Sequence, residues 1–244
     1  MSKAILEVIA CSVADAIEAQ QGGAGRLEVV RELDRGGLTP SLELVRAIKA
    51  AVDLPLRVMV RESDGFGTSD EIEIERLCDA ASELASLGVD SLVLGFLKRG
   101  TIDLDLTSRV LACAPGLNVT FHHAFESAAD QLEAVTQLKS LPQVDRILSS
   151  GGSGELEKRR ERLAVYEQAA APEIKIIAGG GIDLNAIEIL RHTTAIREFH
   201  VGRAARQGFD IAGPVQAELV RELMRAAKFF SHKKAHKAQN ETAN

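Results

Sequence analysis

The 244-residue sequence has few cysteines and no long apolar run. Its three cysteines, Cys11, Cys78 and Cys113, are odd in number and far apart, and no two of them have C-x-x-C spacing. This pattern favours reduced thiols in a cytosolic protein over a disulfide framework. No apolar run is long enough to cross a bilayer, and the N-terminus lacks the pattern of a signal peptide. We therefore expect a soluble, cytoplasmic protein.

The sequence also lacks a strong excess of charge of either sign. It has 29 Lys and Arg against 35 Asp and Glu, a formal net charge of −6. No global positive field draws such a chain to nucleic acid or to an anionic membrane, so we exclude both as partners. We expect instead a small anionic molecule or a metal ion that is held by local groups.

Short apolar, β-branched runs alternate with amphipathic helical patterns, which is typical of βα units around a parallel sheet. Eight strands are predicted, at Ile5–Ala10, Arg26–Val30, Leu56–Val60, Ser91–Leu94, Asn118–His122, Arg146–Leu148, Lys175–Ala178 and Glu198–Val201. Eight parallel strands with right-handed crossovers favour an α/β fold of the (β/α)8 or TIM-barrel type, with an open doubly wound sheet as the alternative. We predict a single domain over residues 1–230 and a polar, disordered tail over residues 231–244.

Two helix starts are suggested by local sequence. Thr39 followed by Pro40 suits an N-cap with proline at the first helical position. Thr68 and Glu71 have the spacing of a capping box. We therefore predict that helices begin next to these residues.

Charged side chains interrupt or end several of the predicted strands. Glu7 and Glu28 lie within apolar strands, Arg61 ends the third strand and His200 lies in the eighth. A buried carboxylate costs several kcal/mol, to order of magnitude, unless a cation or hydrogen-bond donors meet it. In TIM barrels the chemistry lies where strands end, so these groups form either a catalytic cluster at the barrel mouth or a structural polar layer.

Two adjacent histidines, His122 and His123, end the fifth predicted strand. Neighbouring residues of a regular strand face opposite sides, so at most one of them faces the barrel interior. The sequence leaves open which one does. It also leaves open whether that imidazole is a catalytic group, a core histidine or a metal ligand.

Glycine-rich loops follow the last three predicted strands. Their candidate anion-binding residues are Ser150, Gly151, Gly152, Gly179, Gly180, Gly181, Gly202 and Arg203. Late loops of TIM barrels frequently bind phosphate through backbone N–H groups, and glycine lets the main chain approach an anion closely. Glycine also simply permits tight turns with positive φ. Three consecutive loops of this kind favour the anion site.

Seven motifs, in order, resemble those of the CutC family. They are GGAGRLE at Gly22–Glu28, GGLTPS at Gly36–Ser41, VMVR at Val58–Arg61, TFHHAFE at Thr120–Glu126, DRILSSGG at Asp145–Gly152, GGG at Gly179–Gly181 and REFH at Arg197–His200. The resemblance runs from about Leu6 to Arg203. It implies a (β/α)8 barrel, a cytoplasmic location, assembly into homodimers or higher oligomers, and a role in copper homeostasis or copper binding. It also implies a polar cluster at the barrel mouth made of Glu7, Glu28, Arg61, His122 and His200.

The sequence departs from the family pattern where thiols are usually found. Ile9 and Val30 stand where the family usually has cysteines, although Cys11 shares a strand face with Ile9. Because Cu(I) prefers thiolate or thioether ligands, these aliphatic side chains remove the best physical basis for a tight copper site. Three further departures are Ser63, His123 and Gly202.

Two functions of different classes fit the sequence. One is a copper-handling protein with Cys11, His122 and His200 as candidate ligands. The other is a lyase, isomerase or hydrolase acting on a small phosphorylated or anionic metabolite, with Glu7 or Glu28 as general base and His122 or His200 as acid or electrophile. A non-catalytic binding scaffold is the third possibility.

Overall fold

The computed structural model describes residues 4–68 and 70–228 and folds the predicted apolar runs into a closed parallel barrel. Its strands are β1 Ile5–Ala10, β2 Arg26–Val29, β3 Leu56–Met59, β4 Ser91–Leu94, β5 Asn118–Phe121, β6 Val144–Ser149, β7 Lys175–Ala178 and β8 Glu198–Val201. Each strand pairs with the next along the chain, and β8 pairs with β1. The TIM-barrel prediction is therefore confirmed, and the open-sheet alternative is wrong.

One helix follows each strand on the outside of the barrel. The helices are α1 Val13–Gly22, α2 Leu42–Ala51, α3 Glu71–Ser86, α4 Leu104–Ala112, α5 Gln131–Lys139, α6 Leu156–Ala170, α7 Leu184–Thr193 and α8 Ala217–Lys228. Short 3-10 turns lie in the loops at Leu33–Arg35, His123–Ser127, Arg203–Ala205 and Gln207–Phe209. A small antiparallel hairpin, Leu97–Lys98 with Thr101–Ile102, precedes α4.

Both predicted helix starts are wrong by a few residues. Helix α2 is capped by Ser41, whose side chain accepts a hydrogen bond from a first-turn amide. Thr39 instead exchanges hydrogen bonds with the backbone of Arg61, at 2.9 and 3.0 Å. Helix α3 is capped by Asp70, whose amide donates to Thr68. In each case a side chain nearer to the helix is the N-cap, and the predicted threonine forms hydrogen bonds with backbone groups outside the helix.

Apolar packing occupies two regions of the fold. The larger core lies between the barrel and the helices and includes the fully buried Phe121, Phe125 and Phe199. A small separate cluster of Ile9, Val30, Met59 and Val93 lies inside the barrel near its mouth. Burial of apolar area contributes roughly 25 cal/mol per Å², so the larger core supplies most of the stabilisation.

Charged side chains fill the interior of the barrel beneath this cluster. Residues i and i+2 of a strand share one face, so Glu7 lies below Ile9 and Glu198 lies below His200. The register places Glu7 beside both Arg26 and His200. A polar floor therefore separates the amino-terminal end of the barrel from the mouth.

No helix within the described ranges is long and apolar enough to cross a membrane. The tail predicted over residues 231–244 lies outside the described residues.

Candidate active site at the barrel mouth

A cavity of about 610 Å³ lies at the carboxyl ends of the barrel strands. Its polar lining includes Glu28, Arg61, His122, His123, His200 and Arg203. Its apolar wall includes Ile9, Met59, Phe66, Leu148 and Ile182. A volume of several hundred Å³ with apolar walls and a few convergent polar groups is typical of small-molecule sites.

His200 lies between two carboxylates on the floor of the cavity. Its Nδ1 is 2.8 Å from Oε1 of Glu7, and its Nε2 is 3.6 Å from Oε2 of Glu28. Glu7 is also bound by Arg26, so both of its oxygens have partners. Glu28 lines the cavity, whereas Glu7 lies beneath it. Glu7 therefore positions His200, and Glu28 is the carboxylate that a ligand meets.

The two glutamates differ in protonation because their surroundings differ. Burial raises the pKa of Glu28, more than the charge of His200 lowers it. Burial also opposes the charge of Glu7, but Arg26 and His200 hold the pKa of Glu7 well below its ordinary range. Although burial alone would lower the pKa of His200, the carboxylates of Glu28 and Glu7 raise it above the ordinary 6.5. The site thus combines a fixed carboxylate, an imidazole that favours its charged form, and a carboxyl that holds its proton more readily.

A network of ion pairs continues below Glu7. Arg26 bridges Glu7 and Glu198, and Glu198 in turn accepts hydrogen bonds from Arg146 at 2.7 and 3.1 Å. Asp145 links Arg146 to Arg57. Sequence reasoning missed Arg26, Arg57, Arg146 and Glu198 as members of the site. The signal was the i, i+2 spacing, since Arg26 precedes Glu28 and Glu198 precedes His200 on the same faces.

His122 is the buried imidazole of the pair that the sequence left open. Its Nδ1 accepts a hydrogen bond from the amide of Ala124 at 3.1 Å, so the neutral ring carries its proton on Nε2. Burial, with the nearby charges of His123 and Arg61, lowers the pKa of His122 to about 3. His122 Nε2 has no hydrogen-bond partner among residues 4–68 and 70–228. It is a neutral N–H donor at neutral pH.

His123 also lines the cavity, because strand β5 ends at Phe121 and a 3-10 turn begins at His123. The rule that adjacent strand residues face opposite sides does not apply beyond the strand end. Both histidines therefore reach the mouth, which the sequence did not predict.

Arg61 is a buried cation held by backbone carbonyls. Its guanidinium donates to the carbonyls of Arg35 and Gly37, both at 3.2 Å, and of Asp64 at 2.5 Å. It lies 5.3 Å from the centre of the Phe66 ring. In the part of the chain that the structure describes, no carboxylate lies within 4 Å of this guanidinium, and Nε has no hydrogen-bond partner. Burial lowers the pKa of Arg61 more than the nearby charge of Asp64 raises it, which is the cost of a buried cation without a close ion pair.

Four of the eight predicted anion-binding residues lie on the cavity: Gly180, Gly181, Gly202 and Arg203. Gly180 has φ +68°, and a Cβ there would lie 2.6 Å from Cβ of Ser150. Only glycine fits at this position, which keeps the backbone of the loop bare where it borders the cavity.

The other four predicted residues have their donors engaged within the chain. Gly179 N donates to the carbonyl of Ser149, and Gly151 N donates to its hydroxyl. The amides of Ser150 and Gly152 donate to Oε1 of Glu126, at 2.5 and 3.2 Å. Because these amides already donate to a carboxylate of the protein, the loop after β6 does not offer the expected anion site.

Metal-binding side chains converge at one place. Within the two described ranges, Glu7, Glu28 and His200 form the only group of three or more His, Cys, Asp or Glu side chains with ligand atoms within 4.8 Å of one another. The predicted set of Cys11, His122 and His200 is not brought together in this way. Glu7 already has Arg26 and His200 as partners, so a cation there would compete with an arginine.

Copper(I) finds no soft donor set at the mouth. Ile9 and Val30 pack with Met59, whose thioether is the one sulfur in that apolar cluster, and Cys11 packs at its edge. Burial raises the pKa of the Cys11 thiol to about 11, so it stays protonated. Since Cu(I) selects thiolate and thioether ligands, the residues present do not fit a copper site.

The protein is thus a TIM-barrel protein. Its charged cavity lies at the carboxyl-terminal end of the strands, where the active sites of TIM-barrel enzymes are found. Comparison with known sequences makes the assignment more specific. The CutC family model matches residues 4–205, and the chain belongs to the CutC family.

Named relatives and a solved structure agree with this assignment. A family protein CutC from Xylella fastidiosa strain Temecula1 is 34% identical, and the match covers 90% of this chain and 87% of that protein. Another from Xanthomonas axonopodis pv. citri is 38% identical over 80% of this chain and 81% of its own length. The crystal structure of CutC from Streptococcus agalactiae, which carries a provisional copper homeostasis name, superposes with a TM-score of 0.76 at 25% identity. That match covers 81% of this chain and 97% of the other.

Proposed function

We propose that this protein is an enzyme that moves a proton next to the carbonyl group of a small anionic metabolite bound at the barrel mouth. One observation carries the proposal. Glu28, Arg61 and His122 line the same cavity, and each has a buried side-chain atom without a hydrogen-bond partner among the described residues. An unsatisfied buried polar group costs about 1–3 kcal/mol, so a ligand that satisfies all three recovers a substantial free energy.

Glu28 has the properties of a general base. The residue is 3% exposed and burial raises the pKa of its carboxyl group, which brings that pKa nearer to the pH at which proton transfer is efficient. His200 is held at its side by Glu7. The base therefore has a fixed position and a proton affinity above that of an ordinary carboxylate.

His122 supplies the complementary hydrogen bond. Removal of a proton from the carbon next to a carbonyl places negative charge on the carbonyl oxygen. A neutral Nε2–H donor that is held in place before the reaction stabilises that charge, and removing one such donor typically costs 10²–10³-fold, to order of magnitude. The hydrogen bond from Ala124 fixes the ring of His122 in the required tautomer.

Arg61 and the late glycine loops bind the anionic part of the ligand. Arg61 is a guanidinium with three carbonyl contacts and an unpartnered Nε within the described ranges, so an anionic ligand group supplies the missing counter-ion. Gly180, Gly202 and Arg203 add backbone amides and a further positive charge on the same cavity. The apolar wall of Ile9, Met59 and Leu148 suits the carbon skeleton.

Copper homeostasis, the role in the name of the Streptococcus agalactiae protein, is the other function that the family suggests. The donor set at the mouth of this chain does not support it, because the cluster around Met59 is aliphatic and Cys11 holds its proton. The enzyme is the function that the geometry supports best.

The proposal is tested by hydrogen exchange in D2O. The protein is incubated with a panel of phosphorylated and carboxylated ketones, aldehydes and 2-oxo acids, and loss of the C–H signals next to the carbonyl is followed by proton NMR. We expect at least one compound to exchange, and Glu28→Gln to slow that exchange about 1000-fold. Glu133→Gln, the same change at an exposed carboxylate on α5, serves as the control. A panel without enzyme-dependent exchange contradicts the proposal.

A further inference from the structure

The loop after β6 encloses a carboxylate of the protein itself. Oε1 of Glu126 accepts hydrogen bonds from the hydroxyls of Ser149 and Ser150 at 3.0 and 2.6 Å, and from the amides of Ser150 and Gly152 at 2.5 and 3.2 Å. Although burial opposes the charge, the nearby imidazole of His123 and the hydrogen bonds from Ser150 hold the pKa of Glu126 well below its ordinary range. Glu126 is thus ionised at neutral pH and held in a fixed position.

The second oxygen of this carboxylate faces an imidazole on the cavity. Oε2 of Glu126 lies 3.5 Å from Nδ1 of His123, and this nitrogen makes no hydrogen bond among the described residues. His123 lines the cavity next to the loop that holds Gly180, since Cε1 of His123 is 3.4 Å from the position of a Cβ at Gly180. Its side chain is 39% exposed, which gives it contact with solvent that the buried His122 lacks.

Partner groups give the two neighbouring histidines opposite tautomers. His122 accepts a hydrogen bond at Nδ1 and carries its proton on Nε2. Nδ1 of His123 faces a carboxylate and has no hydrogen-bond partner among the described residues, so this carboxylate favours the neutral tautomer with the proton on Nδ1 and a lone pair on Nε2, on the far side of the ring from Glu126. One imidazole is therefore a hydrogen-bond donor and the other a proton acceptor. A carboxylate behind an imidazole is the arrangement by which enzymes orient such a base.

We propose that His123, oriented by Glu126, is the second proton-transfer group of the cavity and exchanges its proton with solvent. This inference rests on the proposed function and narrows its reaction class to isomerisation or epimerisation. Glu28 takes the proton as the C–H bond breaks, and the electron pair moves onto the carbonyl oxygen that His122 binds. Protonated His123 then delivers a proton to the resulting enolate, and the carbonyl re-forms. Glu28 returns its proton to water and His123 takes one from water, so protons balance over the cycle.

A purely structural role for Glu126 predicts different behaviour. If Glu126 only ties the loop after β6 to the turn at His123–Ser127, its four contacts to Ser149, Ser150 and Gly152 are sufficient. The tautomer of His123 and the source of the product's proton then do not depend on the carboxylate. A measurement of the tautomer separates the two roles of Glu126, and a kinetic measurement tests His123 itself.

The first measurement needs no substrate. Nitrogen-15 NMR of labelled histidine rings reports which nitrogen carries the proton in neutral His123. We expect mainly Nδ1–H in the unmodified protein and a shift toward Nε2–H in Glu126→Gln. Glu133→Gln, an exposed change on α5, is expected to leave the spectrum unchanged. The same tautomer in the protein with and without the Glu126 carboxylate overturns the pairing, and this outcome does not depend on any catalytic activity.

The second measurement uses a compound that exchanges in the D2O panel. With His123 in place, the product formed in D2O carries solvent deuterium. His123→Ala is expected to reduce turnover about 100-fold, and added free imidazole is expected to restore part of it, since His123 is accessible to solvent. Turnover that is unaffected by His123→Ala, or a loss that imidazole does not rescue, overturns the role of His123. A panel without any exchange is instead a failure of the proposed function.

Discussion

Nε2 of His200 lies 3.6 Å from Oε2 of Glu28, and this contact joins the floor of the cavity to the ion network beneath it. The other ring nitrogen of His200 binds Glu7, which Arg26 connects to Glu198. Glu28 is thus the end member of a buried chain of charges. It is also the member with a buried oxygen that lacks a hydrogen-bond partner among the described residues.

Glu28→Gln is expected to stabilise the fold while slowing proton transfer about 1000-fold. The surroundings raise the pKa of Glu28, which means that they favour a neutral group over a carboxylate. A neutral amide of similar shape is therefore expected to increase the free energy of unfolding at pH 7.5 by about 1 kcal/mol, the trade-off often seen at active sites. Urea unfolding measures the change.

Glu198→Gln is the matched control for this prediction. Glu198 is also a buried carboxylate of the barrel interior, but Arg146 and Arg26, against the effect of burial, lower its pKa. The same substitution there removes a shared carboxylate from Arg26 and Arg146, which keep only Glu7 and Asp145 as carboxylate partners, and is expected to cost about 3 kcal/mol. If both variants lose a similar amount of stability, the distinction between a base and a structural carboxylate is wrong.

The free energy of unfolding is expected to fall both at acidic and at alkaline pH, because the pKa shifts of Glu7 and His200 have opposite signs. Glu7 has a lowered pKa, so its contribution is present above the ordinary value of 4.5 and is lost as the pH falls below it. His200 has a raised pKa, so its contribution is present below 6.5 and is lost as the pH rises through the value in the folded protein. Urea titrations from pH 3 to 9 should therefore show a maximum near pH 4.5–6.5. Glu28 also has a raised pKa and contributes to the same decline. His200→Gln should therefore make the alkaline decline shallower, and an equally steep decline in that variant would refute the assignment.

His122 is expected to remain neutral from pH 4 to 9. Its pKa of about 3 follows mainly from burial, with smaller contributions from His123 and Arg61. Nitrogen-15 NMR should show one ring with a protonated Nε2 that does not titrate over this range, and His122→Gln identifies it by the loss of its signals. A titration midpoint near 6.5 for that ring would remove the neutral donor from the mechanism.

Much of the fold could be predicted because strand and helix patterns are local. The strands Ile5–Ala10, Ser91–Leu94, Lys175–Ala178 and Glu198–Val201 have the predicted bounds, and the others differ by one or two residues. Helix starts were predicted less well, because Ser41 and Asp70 compete with the nearby threonines for the same amides. Homo-oligomeric assembly and a cytoplasmic location stay predictions.

The site was predicted only in part because its pairings are long-range. Glu28, Arg61, His122 and His200 could be identified as polar interruptions near strand ends, and all four line the cavity. The carboxylate that fills the loop after β6 could not be predicted, since Glu126 and Ser150 are 24 residues apart and only the closed barrel brings them together. For the same reason, the prediction that the amides of that loop bind an anionic ligand did not take Glu126 into account.

Copper binding is expected to appear only when thiols are restored. In a Cys78→Ser, Cys113→Ser background, which removes the outer thiols, Cys11→Ser should leave Cu(I) affinity unchanged. Adding Ile9→Cys and Val30→Cys places two thiols against Met59 in one cluster and should raise the affinity at least about 100-fold. Anaerobic competition with a coloured Cu(I) chelator measures both. Tight binding that depends on Cys11 alone would contradict the absence of a soft site.

The central claim is that Glu28 is a base whose pKa the barrel holds above its ordinary value of 4.5. Carbon-13 NMR of protein labelled at the glutamate carboxyl carbon tests this directly, with the Glu28 signal identified as the one missing from Glu28→Gln. We expect this signal to titrate with a midpoint above 4.5, while the signal lost in Glu198→Gln titrates below it. A Glu28 midpoint at or below 4.5 would contradict the account.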